Sequence, residues 1–225
     1  KDINPGTNSS SVFQMTVYNN KIYFVAYTGD YGEELWSSDG TAAGTQMVKD
    51  INPGPGSADI SSTSLLIVND KLVFTANDGT NGSRLWVSDG TGSGTKILDT
   101  TNYLYGISGA ACGIMNNNIY YANSAGTQLW KSDGTQAGTV LVSNINTATT
   151  GNGLTYFTPV GNTIFFRVGN KELWKTDGTA TGTTLISPNT LGGYSYTSSR
   201  DFTPINSTQT IFLGSVYPNG HVIAK

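Results

Sequence analysis

A twelve-residue phrase recurs along the chain and limits what the chain can fold into. Its copies are ELWSSDGTAAGT at 34–45, RLWVSDGTGSGT at 84–95, QLWKSDGTQAGT at 128–139 and ELWKTDGTATGT at 172–183. The tryptophans of these copies, Trp36, Trp86, Trp130 and Trp174, are separated by 50, 44 and 44 residues. This period is typical of propeller blades. Helical solenoids share it, but no apolar pattern with a 3.6-residue period is present.

Each repeat is predicted to contain four short strands, named A to D. Asn-Asn, Asn-Asp and Gly-Asn pairs between strands A and B tolerate the positive φ angles of tight hairpins. Strand C carries the Leu-Trp pair, and strand D follows the SDGT segment. The predicted A strands are 13–17, 64–68, 112–115, 154–160 and 201–205, and the predicted B strands are 21–27, 71–77, 118–123, 163–168 and 210–215.

The chain has five A–B hairpins but only four C–D turns. Its first residues, KDINPG, are identical to residues 49–54, which end a strand D. We therefore predict an all-β fold, a five-bladed β-propeller of four-stranded antiparallel blades, closed by the N-terminal strand. A slice of a seven- or eight-bladed ring is the competing prediction, and we expect the chain to be a module of a larger protein. A single domain, 1–225, would contain blades at 7–54, 55–101, 102–146, 147–189 and 190–225 with 1–6.

The SDGT segment favours a structural role over a catalytic one. An aspartate followed by glycine and threonine forms Asx turns, in which the carboxylate accepts hydrogen bonds from nearby backbone N–H groups. Leu and Trp point to opposite sides of strand C, and both sides of a blade are covered in a propeller. We predict structural roles for the four tryptophans, with ligand stacking as the alternative, and for the turn aspartates Asp39, Asp89, Asp133 and Asp177.

These residues resemble the ELWxxDGT repeat family of bacterial surface and secreted proteins. The resemblance is carried by Glu34-Leu35-Trp36, by Asp39-Gly40-Thr41 and their equivalents, and by VKDINPG at 48–54. It fades in the fifth repeat, where HVI at 221–223 replaces Glu-Leu-Trp. The resemblance implies an extracellular or cell-surface location in a secreted protein or adhesin, exported in some bacteria by the type IX route. It implies no activity. Five blades are also similar in architecture to tachylectin-like lectins.

Composition excludes some classes of function. Charged residues make up 12% of the chain and the formal net charge is −3, which argues against a nucleic-acid surface. No apolar run is long enough to predict insertion into a membrane. The single cysteine, Cys112, lies in an apolar segment and is predicted to be a buried small hydrophobe.

The loops at the two ends of the strands differ in kind. The A–B and C–D turns are short and alike, whereas the B–C and D–A loops differ in every repeat and would share one face. Binding sites usually lie in variable loops on a rigid scaffold. Tyrosines offer flat apolar faces to sugars, and Asp, Asn and Arg pair with hydroxyl groups. The candidate ligand-binding residues are Tyr27, Asp30, Tyr31, Asp78, Tyr103, Tyr105, Tyr194, Tyr196, Arg200 and Tyr217.

Three functions compete on this pattern. The first is a carbohydrate-binding or cell-surface recognition module with a glycan as partner. The second is a structural or protein-docking module with a protein as partner. An enzyme is disfavoured, because the only histidine is His221 and because Glu33 and Glu34 alternate faces along a strand. We expect no cofactor and no metal, since neither TGDYGE nor NDGTNG has the ligand spacing of a calcium loop.

Overall fold

The computed structural model of the chain contains nineteen β-strands and no α-helix in the part that it describes. That part comprises residues 1–60, 65–104, 106–107, 111–145, 153–169, 172–187, 202–206, 209–216 and 220–224, with only the backbone described from residue 187 onward. Within these ranges no helix has the length or the apolar character needed to cross a membrane.

The strands form five antiparallel sheets, one for each repeat. Repeat 1 contains β1 (Phe13–Tyr18), β2 (Lys21–Thr28), β3 (Gly32–Ser38) and β4 (Gln46–Lys49). Repeat 2 contains β5 (Leu66–Val68), β6 (Lys71–Asn77), β7 (Ser83–Ser88) and β8 (Lys96–Ile97). Repeat 3 contains β9 (Cys112–Met115), β10 (Asn118–Ala122), β11 (Gln128–Ser132) and β12 (Val140–Asn144).

Repeat 4 contains β13 (Leu154–Val160), β14 (Thr163–Val168), β15 (Glu172–Thr176) and β16 (Thr184–Ser187). Repeat 5 contains β17 (Phe202–Asn206), β18 (Gln209–Val216) and β19 (Gly220–Ala224). Within each repeat, every strand pairs with the next, so four sheets have four strands and the described part of the fifth has three. The predicted all-β class is confirmed, and the predicted four-stranded antiparallel sheet is confirmed in repeats 1 to 4.

The A–B hairpins form because their turn residues adopt left-handed backbone conformations. Asn19 and Asn20 have φ angles of 47° and 59°, and Asn116 and Asn117 have φ angles of 50° and 56°. Two consecutive residues with positive φ give a turn whose twist matches that of the flanking strands. The Asn-containing pairs therefore fix the register of the hairpins in repeats 1 to 3, with Tyr18 opposite Lys21 in repeat 1.

The chain divides into two compact units. The first comprises Lys1–Ser108 with Asp133–Thr139, and the second comprises Gly109–Ser132 with Val140–Lys225. In the first unit, Tyr18 and Tyr23 of repeat 1 belong to the same buried cluster as Phe74 and Trp86 of repeat 2. The second unit has its own aromatic core, whose buried members include Tyr120, Phe157 and Phe166. In both units, neighbouring repeats exclude water by packing the faces of their sheets together.

The first residues of the chain repeat the contacts of residues 49–52. Lys1 Nζ donates a hydrogen bond of 2.8 Å to the carbonyl of Thr45 in repeat 1, and Lys49 Nζ donates one of 2.8 Å to the carbonyl of Thr95 in repeat 2. The Asn4 side-chain amide donates to the carbonyl of Ser9, and the Asn52 side-chain amide donates to the carbonyl of Ser57, five residues later in each case. Residues 1–4 thus make the same kind of contact with repeat 1 that residues 49–52 make with repeat 2.

Candidate functional site

The SDGTxxGT segment forms a turn in which side chains replace most of the backbone hydrogen bonds. In repeat 1, Asp39 Oδ1 accepts hydrogen bonds from the backbone N–H of Thr41 at 2.9 Å and from its hydroxyl at 2.7 Å. The Thr41 hydroxyl in turn accepts the N–H of Gly44, and the Thr45 hydroxyl donates to the carbonyl of Thr41. The other three copies show the same set of bonds.

The glycines of the turn are required by its geometry. Gly40 has a φ angle of 93°, a conformation that side chains disfavour. A Cβ atom on Gly44 would overlap the carboxylate of Asp39, and the equivalent glycines in the other copies meet their aspartates in the same way. Hydrogen bonds from the threonine hydroxyl and N–H lower the pKa of the aspartate in every copy. Such an aspartate stays ionised, and its Oδ1 accepts two hydrogen bonds within the turn.

The SDGT turns of repeats 2, 3 and 4 are each held by the preceding repeat within their unit. In repeat 2, the Thr95 carbonyl accepts from Lys49, and a Cβ on Gly90 would overlap the Tyr23 hydroxyl. In the turn of repeat 3, the Gly134 carbonyl accepts from Lys71 of repeat 2 at 3.3 Å. In the second unit, the carbonyl of the turn glycine in repeat 4 accepts from Lys131 at 2.9 Å. The repeated phrase is therefore a structural connector between neighbouring repeats.

The tryptophans pack within the sheets. Trp36 and Trp86 are buried, and the indole N–H of Trp86 donates to the carbonyl of Ala76 at 3.0 Å. Trp130 and Trp174 are half-buried, and their indole N–H groups donate to side chains two residues earlier on the same strand. These contacts satisfy the indole N–H groups of Trp86, Trp130 and Trp174, whereas the buried indole N–H of Trp36 has no hydrogen-bond partner among the described residues.

The D–A loop of repeat 1 is hydrogen-bonded to the start of β3 and to the end of β6, at the edge of the sheets that carries the B–C and D–A loops. The N–H of Ala58 donates to the carbonyl of Glu33 at the start of β3, and the carbonyl of Ala58 accepts the N–H of Asn77 at the end of β6. Ser57 Oγ accepts the N–H of Glu33. The B–C and D–A loops of the first unit are therefore anchored by backbone hydrogen bonds to the sheets.

Three predicted ligand-binding residues lie together in sequence in repeat 1. Tyr27 is half-buried near the end of β2, whereas Asp30 and Tyr31 are exposed in the following loop. The N–H of Tyr31 donates to the Thr28 hydroxyl, which fixes the loop backbone. Among the described residues, no hydrogen bond or ring contact joins these three side chains to the candidates in repeat 2.

Asp78 has its carboxylate engaged within its own loop. It accepts the N–H groups of Thr80 and Asn81 at 3.0 Å and 2.6 Å, and the Asn81 side-chain amide at 2.7 Å. Burial alone raises the pKa of Asp78, but the hydrogen bonds from Asn81 and Thr80 outweigh burial and lower it overall. This carboxylate therefore holds the B–C loop of repeat 2 in shape.

Tyr103 forms an exposed aromatic surface in the D–A loop of repeat 2. The guanidinium carbon of Arg84 lies 3.9 Å from the centroid of its ring, and 55% of the Tyr103 side chain is exposed. The ring also covers Gly82, where a Cβ would approach Cε1 to 2.7 Å. Arg84 is itself held by bonds from Nε to the Asn81 carbonyl at 2.9 Å and from Nη1 to the Thr100 carbonyl at 3.1 Å. The Tyr103 ring is thus more than half exposed, and the Arg84 side chain that it contacts is fixed by two hydrogen bonds.

The remaining candidates lie outside the described residues, so their roles stay predictions. They are Tyr105, Tyr194, Tyr196, Arg200 and Tyr217.

Sequence reasoning assigned no role to Glu34, but in the structure its carboxyl group binds the start of the D–A loop of repeat 1. It is completely buried, and its two oxygens accept the N–H groups of Ile51 and Asn52 at 2.8 Å and 2.9 Å. Burial raises the pKa of Glu34 to about 7, assisted by nearby Asp50 and opposed by the two backbone hydrogen bonds. The recurrence of Glu in the motif was the available signal, but its partners lie 17 and 18 residues away in sequence.

Other reactive groups do not assemble into a site within the described ranges. No cluster of three or more His, Cys, Asp or Glu side chains that could hold a metal ion occurs among those residues. Cys112 is buried, and burial raises the pKa of its thiol to about 12. The thiol is therefore protonated at neutral pH, as expected for a small buried hydrophobe.

No protein-family model and no curated protein matches the chain. Among solved structures, the chain is similar to a computationally designed protein, Ika8, with a TM-score of 0.51 and 13% sequence identity. The match covers 94% of this chain but 57% of the designed protein, so the chain spans little more than half of its length. It concerns the fold alone. An α-L-arabinofuranosidase from Clostridium thermocellum matches over 94% of this chain and 91% of that one, with a TM-score of 0.30 and 14% identity. A similarity this weak supports no conclusion about fold or function.

Proposed function

We propose that the chain is a non-catalytic carbohydrate-binding module that recognises a glycan through its variable loops. The observation that carries this proposal is the Tyr103 ring, which is more than half exposed and whose centroid lies 3.9 Å from the guanidinium carbon of the buried Arg84. An exposed aromatic ring with a fixed orientation suits stacking against the apolar face of a sugar, because little side-chain freedom is lost on binding. Neighbouring loop carbonyls and amides supply partners for hydroxyl groups.

The proposal includes an architecture in which the five sheets are blades of one propeller. Residues 1–6 would complete the three-stranded sheet of repeat 5 as its fourth strand. The support is the correspondence of Lys1 with Lys49 and of Asn4 with Asn52, whose side chains make equivalent contacts. The proposal also places the chain in the ELWxxDGT repeat family, as a monomeric module of a larger secreted or surface protein. The repeated phrase is the support for that assignment.

The test is binding of the purified chain to a broad glycan array. We expect a saccharide hit that weakens about tenfold in Tyr103→Ala, since an aromatic stacking contact contributes about 1 kcal/mol or somewhat more. Tyr103→Phe is the matched control, because it keeps the ring and should retain binding. Both variants should unfold at nearly the same urea concentration as the native chain.

A folded protein with no saccharide hit would reject glycan recognition and favour a structural or protein-docking module. A hit that Tyr103→Ala leaves unchanged would keep glycan binding but remove this ring from the site. In that case Tyr31→Ala, in the exposed loop of repeat 1, becomes the next variant to measure.

A further inference from the structure

The residue before Leu-Trp occupies one position in the sheet but differs between repeats. It is Glu34, Arg84, Gln128 or Glu172 in repeats 1 to 4. In the first two sheets this residue pairs with an alanine of strand B, Ala26 in repeat 1 and Ala76 in repeat 2. The position is therefore structurally equivalent in repeats 1 and 2, while the side chain changes from a carboxyl group to a guanidinium there and to a neutral amide in repeat 3.

In repeats 1 to 3, this side chain binds the end of strand D or the segment that follows it, as far as these residues are described. Glu34 accepts two backbone N–H groups just after β4. Arg84 donates to a backbone carbonyl just after β8, at Thr100. Gln128 donates through Nε2 to the side chain of Asn144, the last residue of β12, at 3.0 Å. The chemistry of this side chain thus matches the group that it binds at or after strand D: two backbone N–H groups for Glu34, a backbone carbonyl for Arg84 and a side-chain amide for Gln128.

In repeat 2 this contact determines where Tyr103 lies. The Thr100 carbonyl accepts a hydrogen bond from Arg84, and four residues later the N–H of Leu104 donates to the carbonyl of Ser83 at 3.0 Å. The segment between Thr100 and Leu104 is therefore bound at both ends to the start of β7. Tyr103 lies between these two attachments, with its ring over the same guanidinium. A glutamate in place of Arg84 would turn an acceptor towards the Thr100 and Asn81 carbonyls, which are acceptors too.

We propose that the residue before Leu-Trp positions the D–A loop of its own repeat, and that Arg84 thereby determines how Tyr103 is presented to a ligand. Arg84 is a positioning residue, because its contacts reach the loop and the underside of the ring. The part that concerns the ligand rests on the proposed glycan-binding function. The part that concerns the loop is independent of it.

The experiment compares Arg84→Gln with Glu34→Gln in the full chain, by amide hydrogen exchange. Arg84→Gln should speed exchange at Thr101, Asn102 and Leu104 by about tenfold or more and leave Ile51 and Asn52 unchanged. Glu34→Gln should do the reverse. Arg84→Lys, which keeps a donor but lacks the flat guanidinium, should give an intermediate effect at the repeat 2 loop. Equal effects of both variants on both loops, or no effect on either, would overturn the positioning role.

The ligand part is read from glycan affinity in a double-mutant cycle. Arg84→Gln should weaken binding about tenfold in the native background and cause no further loss when Tyr103 is already alanine. An equal loss in both backgrounds would overturn positioning in favour of direct contact between Arg84 and the glycan. If the native chain binds no glycan, the proposed function and the ligand part both fail, and the exchange result alone decides the loop part.

Discussion

The buried carboxyl group of Glu34 should make the protein less stable as the pH rises from about 4.5 to about 7. Its pKa is raised from the ordinary 4.5 to about 7, chiefly because burial disfavours the charged form. The folded protein then holds this proton more tightly than the unfolded chain does, so protonation favours folding. The contribution is complete below the unfolded pKa and is lost as the pH rises through the folded pKa.

The magnitude follows from the difference between the two pKa values. One pH unit of difference corresponds to about 1.4 kcal/mol, so the effect of Glu34 between these limits is on the order of 3 kcal/mol. The turn aspartates do not interfere, because their pKa values are lowered from 3.8 and their contributions change at lower pH. Glu34 therefore dominates the described carboxyl groups with shifted pKa values in this window.

The assay is urea unfolding of the native chain and of Glu34→Gln at several pH values between 4 and 8. Glutamine cannot titrate, so the free energy of unfolding of this variant should vary less with pH, by the amount that Glu34 contributes. Glu33→Gln is the matched control, since Glu33 is the half-buried neighbour of Glu34 on the same strand. Parallel pH profiles for the native chain and Glu34→Gln would refute the reasoning.

Two further predictions concern the repeated turn. Gly94→Ala should destabilise the protein by about 1–3 kcal/mol, because its new Cβ would overlap the turn aspartate. Gly29→Ala, where no atom lies within 4 Å of a new Cβ, should stay near the native stability, and equal urea midpoints for both variants would contradict the overlap. Lys49→Ala should cost about 1 kcal/mol by removing the bond to the Thr95 carbonyl, whereas the exposed Lys175→Ala should change little. Similar losses from both lysine variants in thermal unfolding would argue against a specific contact.

Much of the fold could be predicted from the sequence because its determinants are local. Asn19-Asn20 and its equivalents specify tight hairpins through their own backbone conformations. The hydrogen bonds of the SDGT turn join residues no more than seven apart, from Ser38 to Thr45 in repeat 1. Such features can be read from a short window of sequence. The identical KDINPG segments likewise made equivalent roles for Lys1 and Lys49 visible as a repetition.

The candidate site could be predicted only in part, because its support is not local. Loop composition pointed to Tyr103, but Arg84, on which the ring rests, lies 19 positions earlier in the chain and in a strand. The departure of Arg84 from the motif's glutamate was visible, yet its meaning depends on the neighbouring D–A loop. Conversely, Asp78 looked available for a ligand, although Thr80 and Asn81 already engage its carboxylate.

The two classes of loop explain why one residue of the repeated phrase is free to vary. The SDGT end of the phrase must fit the preceding repeat, and its Asp, Gly and Thr recur in all four copies. The opposite end, before Leu-Trp, contacts loops of its own repeat: Glu34 binds the D–A loop, and Arg84 binds both the D–A and the B–C loop. A change there acts first on these loops and not on the SDGT turn that contacts the preceding repeat. This separation lets a rigid scaffold acquire a new surface, such as the Tyr103 ring, by exchanging a single side chain and the loop that it holds.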